Sequence, residues 1–291
     1  MLIVTSVIAV GIVAGVLAFA FAFRWPSATT APAVAPETLA QGIHRHRNLA
    51  RFLRGRRDPS RLAGFALTAA AAGAALAGLG IGVLLAMARS NRGLARWDRH
   101  FAVVGADHAT AFSTDVLRTV SWGGGTAGAI VLSLAAAALA YRRTPTRAVP
   151  LFLTLVVGGQ FALSNLIKAI VHRARPDLRP LTGFSGTSFP SGHSTAAAAT
   201  FLAIALLLGR HRSRTGRAVL AGIAVGLAVM VAATRVLLGV HWFTDVLAGL
   251  LLGWGWFAVC SILFGGRILR FGLPVAQAEL VADLDPAVAA R

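Results

Sequence analysis

Three short stretches of this chain combine residue types that handle phosphate groups. They are "KAIVHRARP" (168–176), "PSGH" (190–193) and "TRVLLGVHWFTD" (234–245), and each borders a long apolar run. An ionisable side chain costs about 2.5–3.5 kcal/mol at the centre of a membrane helix. Several such side chains near the ends of apolar runs therefore indicate a functional site.

The cations and the tight turn in these stretches suit an anionic ligand. Lys168, Arg175 and Arg235 can neutralise phosphoryl oxygens. Lys168 is the only lysine in the chain, whereas arginines are numerous. Ser191 predicts the N-cap of a helix. Gly192 would let backbone N–H groups at that helix start approach an anion.

The histidines supply the groups needed for phosphoryl transfer. His241 and Asp245 are four residues apart, which places both on one face of a helix. The carboxylate can fix the imidazole tautomer and leave the other ring nitrogen able to attack. With His193, one histidine could attack phosphorus while the other protonates the departing oxygen. The stretches contain no cluster of carboxylates for Mg²⁺, so we predict a mechanism without metal or cofactor.

These stretches resemble the signature of the type 2 phosphatidic acid phosphatase (PAP2) superfamily, which also includes vanadium haloperoxidases. The family pattern is K-x6-R-P, then P-S-G-H, then S-R-x5-H-x3-D. Residues 168–176 and 190–193 match it in full, and 234–245 matches with the required gaps of five and three. The one departure is Thr234, which stands in the serine position and keeps a hydroxyl but adds a methyl group.

The resemblance implies a role for each matching residue. His241 would be the nucleophile that forms a phosphohistidine, and Asp245 would orient and stabilise its ring. His193 would protonate the leaving oxygen and then activate water. The residues expected to hold the phosphoryl oxygens are Lys168, Arg175, Ser191, Gly192, Arg235 and Thr234.

The composition indicates a membrane protein. Hydrophobic residues make up 56% of the 291 residues and charged residues 13%, about half the charged fraction of soluble domains. The formal net charge is +18, but the arginines cluster between apolar runs, which is typical of a topology signal rather than a nucleic-acid-binding surface. Cys260, the single cysteine, excludes a disulfide framework within the chain.

Apolar runs are long enough to form membrane helices, because backbone polar groups in a bilayer must be paired internally. We predict seven, at about 1–23, 62–88, 122–141, 150–171, 192–209, 217–234 and 245–264. The predicted fold is an all-α, polytopic membrane bundle. Its parts are an N-terminal transmembrane anchor (1–23), a basic cytoplasmic linker (24–61), a six-helix PAP2-like core (62–264) and a cytoplasmic tail (265–291).

Arginine placement predicts the orientation. The basic segments 24–61, 142–147 and 210–217 alternate correctly if all three are cytoplasmic. The N-terminus and the three phosphate-handling stretches would then lie outside, and the C-terminus inside. We expect run 1–23 to be an uncleaved anchor, since it lacks the basic start of a signal peptide.

Two polar segments have two interpretations each. Segment 44–58 is either a basic helix that touches anionic lipid headgroups or a plain topogenic charge block. Segment 91–122 is either an interfacial loop that shapes substrate entry, with Arg96 or Arg99 meeting a second phosphate, or an ordinary surface loop.

The predicted function is that of a plasma-membrane lipid phosphatase. Its substrate would be a phosphomonoester or diphosphate of a lipid, such as undecaprenyl diphosphate or phosphatidic acid. One alternative is a phosphotransferase that uses an acceptor other than water. A haloperoxidase would use the same anion pocket, but those relatives are soluble. A non-enzymatic transporter or lipid-binding protein would place ionisable groups through the middle of the bilayer. The predicted partners are the lipid phosphate or diphosphate substrate and membrane lipids, without nucleic acid, and the sequence identifies no particular protein partner.

Overall fold

The computed structural model describes residues 1–24, 59–143, 146–210 and 212–268. Within those ranges the chain forms α-helices, one short 3-10 helix (Gly93–Ala95) and no strand. The helices are α1 (Leu2–Arg24), α2 (Pro59–Ser90), α3 (Arg96–Asp107), α4 (Ala111–Trp122), α5 (Thr126–Arg143), α6 (Ala148–Val171), α7 (Gly192–Gly209), α8 (Arg214–Leu237) and α9 (Phe243–Ile268). The predicted all-α class is confirmed.

The helices confirm the apolar runs with one correction. Run 122–141 was expected to be a single span, but Trp122 ends α4 and the chain bends by 50° before α5. The bend falls at Gly123, Gly124 and Gly125. A side chain at Gly124 would lie 2.4 Å from Val231 Cγ1 and 2.8 Å from the His193 carbonyl oxygen, so the bend is packed against α7 and α8.

The expected loop 91–122 is largely helical. Helix α3 buries Asp98, Ala102 and Gly105, and α4 buries one face in the same way. Thr110 caps α4, because its side chain accepts from the Ser113 N–H and the Ser113 hydroxyl accepts from the Thr110 N–H. These helices are short and amphipathic, so their apolar content was too low to distinguish them from a loop.

Helix α7 lies at the centre of the bundle, in contact with α5, α6, α8 and α9. It begins with small residues, and Ala196–Ala199 are fully or almost fully buried. Helix α9 approaches α7 at Gly249 and Gly253, where a methyl group would lie 2.6 Å from the Ser191 carbonyl oxygen and 2.4 Å from the Thr195 carbonyl oxygen. This close approach fixes the start of α7 against the start of α9.

Helix α1 packs along α8. Gly15 faces Gly222, and a methyl group on either glycine would lie within 2.9 Å of the other's carbonyl oxygen. Near its start, α1 buries Ile3 and Val7 against Leu238 and Val240. The start of α1 therefore supports the turn that leads into His241.

The outer surface of the bundle is apolar. Large hydrophobic side chains such as Leu76, Leu134 and Leu166 are more than half exposed, which fits a lipid-facing surface. Among the described residues, six helices are long and apolar enough to cross a bilayer, and the bent α4–α5 pair gives a possible seventh span. The chain is a multi-pass membrane protein.

Parts of the predicted organisation lie outside the described residues. They include segment 44–58, nearly all of the predicted linker 24–61, and residues 269–291 of the predicted tail. The division of the chain into anchor, linker, core and tail stays a prediction.

Candidate active site

Six of the predicted site residues line one cavity of about 410 Å³. They come from four parts of the fold: the end of α6, the loop after it, the start of α7, and the end of α8 with the turn that follows. These six are Lys168, Arg175, Gly192, His193, Arg235 and His241. The fold therefore brings together motifs that are far apart in the sequence.

The His241 ring has a defined orientation. Its Nε2 lies 3.2 Å from an Arg175 NH1 nitrogen, and because a guanidinium only donates hydrogen bonds, Nε2 must accept. The proton of the neutral ring is then on Nδ1, which lies 3.7 Å from Asp245 Oδ2 and 3.5 Å from Ser188 Oγ. Burial lowers the pKa of His241 to about 4, although Asp245 acts in the opposite direction. The ring is thus neutral at pH 7, with its lone pair beside the cationic cavity.

Asp245 is fully buried behind His241 and its two oxygens have different partners. Oδ2 accepts from the Ser188 hydroxyl and from the Trp242 N–H at 2.9 Å. Oδ1 accepts from Arg173 NH1 at 2.5 Å. This carboxylate is therefore held in place by groups other than the histidine that it faces.

Arg173 joins Asp245 to a second buried carboxylate. Its NH2 donates to Asp98 Oδ2 at 2.7 Å. Asp98 also accepts from the Thr244 N–H and from the Thr244 hydroxyl, each at 2.8 Å. The start of α3 is thus tied directly to the start of α9, next to the His241–Asp245 pair.

The three cations that line the cavity carry positive charge without a carboxylate partner. Lys168, Arg175 and Arg235 make no ion pair with any carboxylate in the described ranges. Lys168 donates to the Thr187 carbonyl oxygen at 3.1 Å. Arg235 NH1 donates to Ser121 Oγ at 2.8 Å, while its buried Nε has no hydrogen-bond partner in this part of the chain. Such a cavity favours an anion.

The guanidinium of Arg175 is oriented by backbone carbonyls of the loop between α6 and α7 and of the turn after α8. Its nitrogens donate to the carbonyl oxygens of Ser185 (2.7 Å), Gly186 (2.9 Å) and Val240 (2.6 Å). The loop begins where α6 ends, at His172, which has a left-handed conformation with φ 51°. This C-cap position gives His172 a structural role at the end of α6.

Two predicted phosphate ligands do not line the cavity. The Thr234 hydroxyl donates to the Val231 carbonyl oxygen of its own helix at 2.6 Å. Thr234 precedes Arg235 on α8, so its side chain leaves the helix about 100° away from the arginine. Ser191 instead caps α7 and accepts from the Ser194 hydroxyl at 3.0 Å. Both residues are fully buried.

The suggested second phosphate contact by Arg96 or Arg99 is also absent from the cavity. Both side chains are exposed, and neither belongs to the cavity wall. As for metals, no three His, Cys, Asp or Glu side chains of the described residues are grouped closely enough to hold an ion. The metal-free, cofactor-free mechanism stays a prediction.

A match to a known protein family covers the part of the chain that forms this cavity. Residues 147–268 match the PAP2 superfamily, and this range contains all three phosphate-handling stretches. The chain carries a PAP2 superfamily domain. That domain comprises α6–α9 and the loops between them, and therefore holds every one of the nine predicted site residues.

Several known proteins are similar to this chain. Lipid A 1-phosphatase of Rhizobium etli is 40% identical over 153 residues, which cover 46% of this chain and 60% of that protein. Phosphatidylglycerophosphatase B of Bacillus subtilis is 41% identical over 108 residues, or 35% of this chain and 52% of that protein. The alignments therefore span only a little over half of these relatives.

A solved structure has the same fold. The crystal structure of a transmembrane PAP2-type phosphatidylglycerolphosphate phosphatase from Bacillus subtilis superimposes with a TM-score of 0.62 and 29% identity. The match covers 68% of this chain and 98% of that one. The helical arrangement around the PAP2 domain is thus shared with a transmembrane protein.

Sequence reasoning missed the residues that support the PAP2 motif. Asp98, Arg173, Ser188 and Thr244 lie outside the fixed positions of the pattern and form contacts only through the fold. One weak signal was available: Asp98 precedes Ala102 and Gly105 at helical spacing, which would have predicted a buried carboxylate on α3.

Proposed function

We propose that this protein is an integral-membrane lipid phosphatase. The observation that carries the proposal is the cavity in which His241 Nε2 faces three cations that have no carboxylate partner among the described residues. The cations of this cavity would bind a phosphoryl group, and His241 would attack it as the nucleophile. The names of the similar proteins, which are phosphatases of lipid phosphates, support a lipid substrate.

The proposed reaction has two steps. His241 Nε2 attacks phosphorus, the bond from phosphorus to the leaving oxygen breaks, and His193 donates a proton to that oxygen. Asp245 stabilises the positive charge that the ring acquires. Water then attacks phosphorus, His193 takes a proton from the water, and the bond from phosphorus to Nε2 breaks. The products are a dephosphorylated lipid and inorganic phosphate, or a lipid monophosphate and inorganic phosphate if the bond cleaved is the anhydride of a diphosphate.

The three cations would act mainly on the transition state. Lys168, Arg175 and Arg235 stand around the position of the phosphoryl oxygens, where negative charge is greatest as the bond breaks. The N–H groups at the start of α7, beside Gly192, add a further anion-binding element. Ser191 would contribute indirectly, by fixing this helix start.

We place the proposed site on the outer face of the plasma membrane. The cavity lies where α6 and α8 end and α7 and α9 begin, whereas the basic segments 142–147 and 210–217 lie at the opposite helix ends. Arginine-rich short loops favour the cytoplasm. A substrate presented from the outer leaflet would then reach the cavity with its hydrocarbon chains still in the bilayer.

Phosphate release by the purified protein tests the proposed activity. With phosphatidic acid or a polyprenyl diphosphate in detergent micelles, the parent protein should release inorganic phosphate, and His241→Ala should reduce the rate at least about 1,000-fold, as expected for loss of a covalent nucleophile. His108→Ala is a matched control, because that histidine is exposed on the surface after α3. Equal rates for His241→Ala and the parent would contradict the proposal.

A further inference from the structure

One face of α6 forms a wall of the cavity that runs from Lys168 past Gly192 toward the interior of the bundle. Gln160, Ser164 and Lys168 recur every four residues, and all three line the cavity. At a rise of about 1.5 Å per residue, Ser164 lies about 6 Å and Gln160 about 12 Å from Lys168 along the helix axis. The cavity wall therefore extends from the cationic end toward the interior of the bundle.

Both deeper polar residues are buried and lack a partner. Gln160 and Ser164 are 4% and 3% exposed. Ser164 Oγ has no hydrogen-bond partner among the described residues, although it lies near Gly192. The Gln160 amide likewise makes no hydrogen bond within the described ranges. An unpaired buried polar group costs about 1–3 kcal/mol, and Ser164 Oγ is such a group. The Gln160 side chain lines the same cavity, so both residues are available to a neutral polar group of a ligand.

The chemistry of this deeper wall is neutral. The α6 side chains that line the cavity before Lys168 are all uncharged: Gln160, Phe161, Ser164 and Asn165. A second phosphate of a diphosphate would need a cation there. A carbonyl oxygen or a hydroxyl of the lipid is a better match for an amide and a hydroxyl.

We propose that Gln160 and Ser164 form a subsite for an acyl carbonyl, ester or amide, that lies between the phosphate and the hydrocarbon chains of the substrate. The inference rests on the proposed phosphatase function and narrows its substrate class. Glycerolipids and acylated sugars carry such carbonyls within about 6–12 Å of their phosphate, the range over which Ser164 and Gln160 are spaced from Lys168 along α6. A polyprenyl chain is hydrocarbon from its first carbon and would leave both buried groups unpaired.

The test compares lipid phosphates with and without a carbonyl next to the phosphate, and the diacyl and dialkyl forms of phosphatidic acid differ only in the linkage. Initial rates are measured at low substrate concentration for diacyl phosphatidic acid, its dialkyl ether analogue, ceramide 1-phosphate and a polyprenyl phosphate in the same micelles. The parent should prefer diacyl phosphatidic acid over the ether analogue and the polyprenyl phosphate in kcat/KM by roughly fivefold or more, the value of about one neutral hydrogen bond. A higher rate with ceramide 1-phosphate would assign an amide rather than an ester carbonyl.

Substitutions locate the preference in the subsite. Gln160→Leu and Ser164→Ala should lower kcat/KM for the diacyl substrate and leave the ether analogue almost unchanged, so that the preference disappears. Ser133→Ala is the matched control, because the Ser133 hydroxyl is also buried and unpartnered in a neighbouring helix but does not line the cavity. Ser164→Ala carries the comparison alone if Gln160→Leu does not fold.

The outcomes separate this inference from the proposed function. Equal kcat/KM for diacyl and dialkyl substrates, or a preference that survives both substitutions, would overturn the subsite while phosphatase activity stands. Release of phosphate from none of the lipids would overturn both.

Discussion

Arg173 connects two buried carboxylates, and this connection determines how well Asp245 can hold His241. The guanidinium donates to Asp245 Oδ1 at 2.5 Å and to Asp98 Oδ2 at 2.7 Å. Its planar fork suits two acceptors at once, which a lysine ammonium does not match. Asp98 therefore acts as a positioning residue: it fixes Arg173, which fixes Asp245, without touching the cavity.

Asp98→Asn tests this chain of contacts. The neutral amide would weaken the charge-assisted bond to Arg173 and let the Asp245 carboxylate shift, so we expect kcat to fall roughly 10- to 100-fold. KM should change little, because Asp98 does not line the cavity. Steady-state kinetics on a lipid phosphate measure both values.

Asp115→Asn is the control for Asp98→Asn, since Asp115 is exposed and pairs only with Arg118 at 3.7 Å. A parental kcat for Asp98→Asn, or a rise in KM as large as the fall in kcat, would contradict a positioning role.

The motif residues could be predicted from the sequence, but their supporting partners could not. Lys168, Arg175, His193 and His241 have characteristic spacing, and the fold brings all four to one cavity. Ser188, by contrast, contacts Asp245 across 57 residues of chain, and no local pattern encodes that pairing. The sequence also did not reveal that the Thr234 hydroxyl donates to a carbonyl oxygen of its own helix and does not face the cavity.

At the scale of helices, close backbone contact between α1 and α8 supports the turn that carries His241. Gly15 and Gly222 face each other with no room for a methyl group. The start of the same helix packs on Leu238 and Val240. Displacement of α1 should therefore affect both the stability of the bundle and the turn before His241.

Gly222→Ala tests the contact between α1 and α8. An added methyl group would lie 2.7 Å from the Gly15 carbonyl oxygen, and overpacking of this kind costs about 1–3 kcal/mol. We expect the unfolding temperature to fall by roughly 2–10 °C. A thiol-reactive dye can measure it, because Cys260 is the single cysteine and is fully buried in the folded protein.

Gly82→Ala is the matched control for Gly222→Ala. A methyl group at Gly82 meets nothing within 4 Å, and alanine is the better helix former by about 1 kcal/mol. The control should unfold at the parental temperature or above it. If Gly222→Ala behaved like Gly82→Ala, the close packing of α1 on α8 would be contradicted.

Helix positions could be predicted wherever the whole segment is apolar. Run 192–209 coincides with α7, and the other long runs match to within a few residues, because the bilayer requires continuous hydrophobic segments. Helices α3 and α4 could not be predicted in this way. They are 12 residues each and bury only one face, so they lack the continuous apolar run from which the other helices were predicted.

At the scale of the whole molecule, the cavity and the arginine-rich connecting segments lie at opposite ends of the bundle. The cavity is at one end, and the basic segments 142–147 and 210–217 are at the other. By the positive-inside rule, this arrangement favours the proposed position of the cavity on the outer face.

Single cysteines test this orientation in a Cys260→Ser background. Asn91 lies near the cavity end after α2, and Ser213 lies at the opposite end before α8; both are exposed. A membrane-impermeant maleimide added to intact cells should label Asn91→Cys. Ser213→Cys should react only after the cells are permeabilised. The reverse pattern would place the cavity in the cytoplasm and contradict the proposed orientation.

The central claim is that phosphate passes through a covalent bond to His241. The direct measurement is rapid quenching of the purified protein with a ³²P-labelled lipid phosphate, under alkaline conditions that preserve phosphohistidine, followed by peptide mapping. The account predicts an acid-labile label on His241 that is absent from His241→Ala. Phosphate release with no label on the protein, or with the label on another residue, would contradict it.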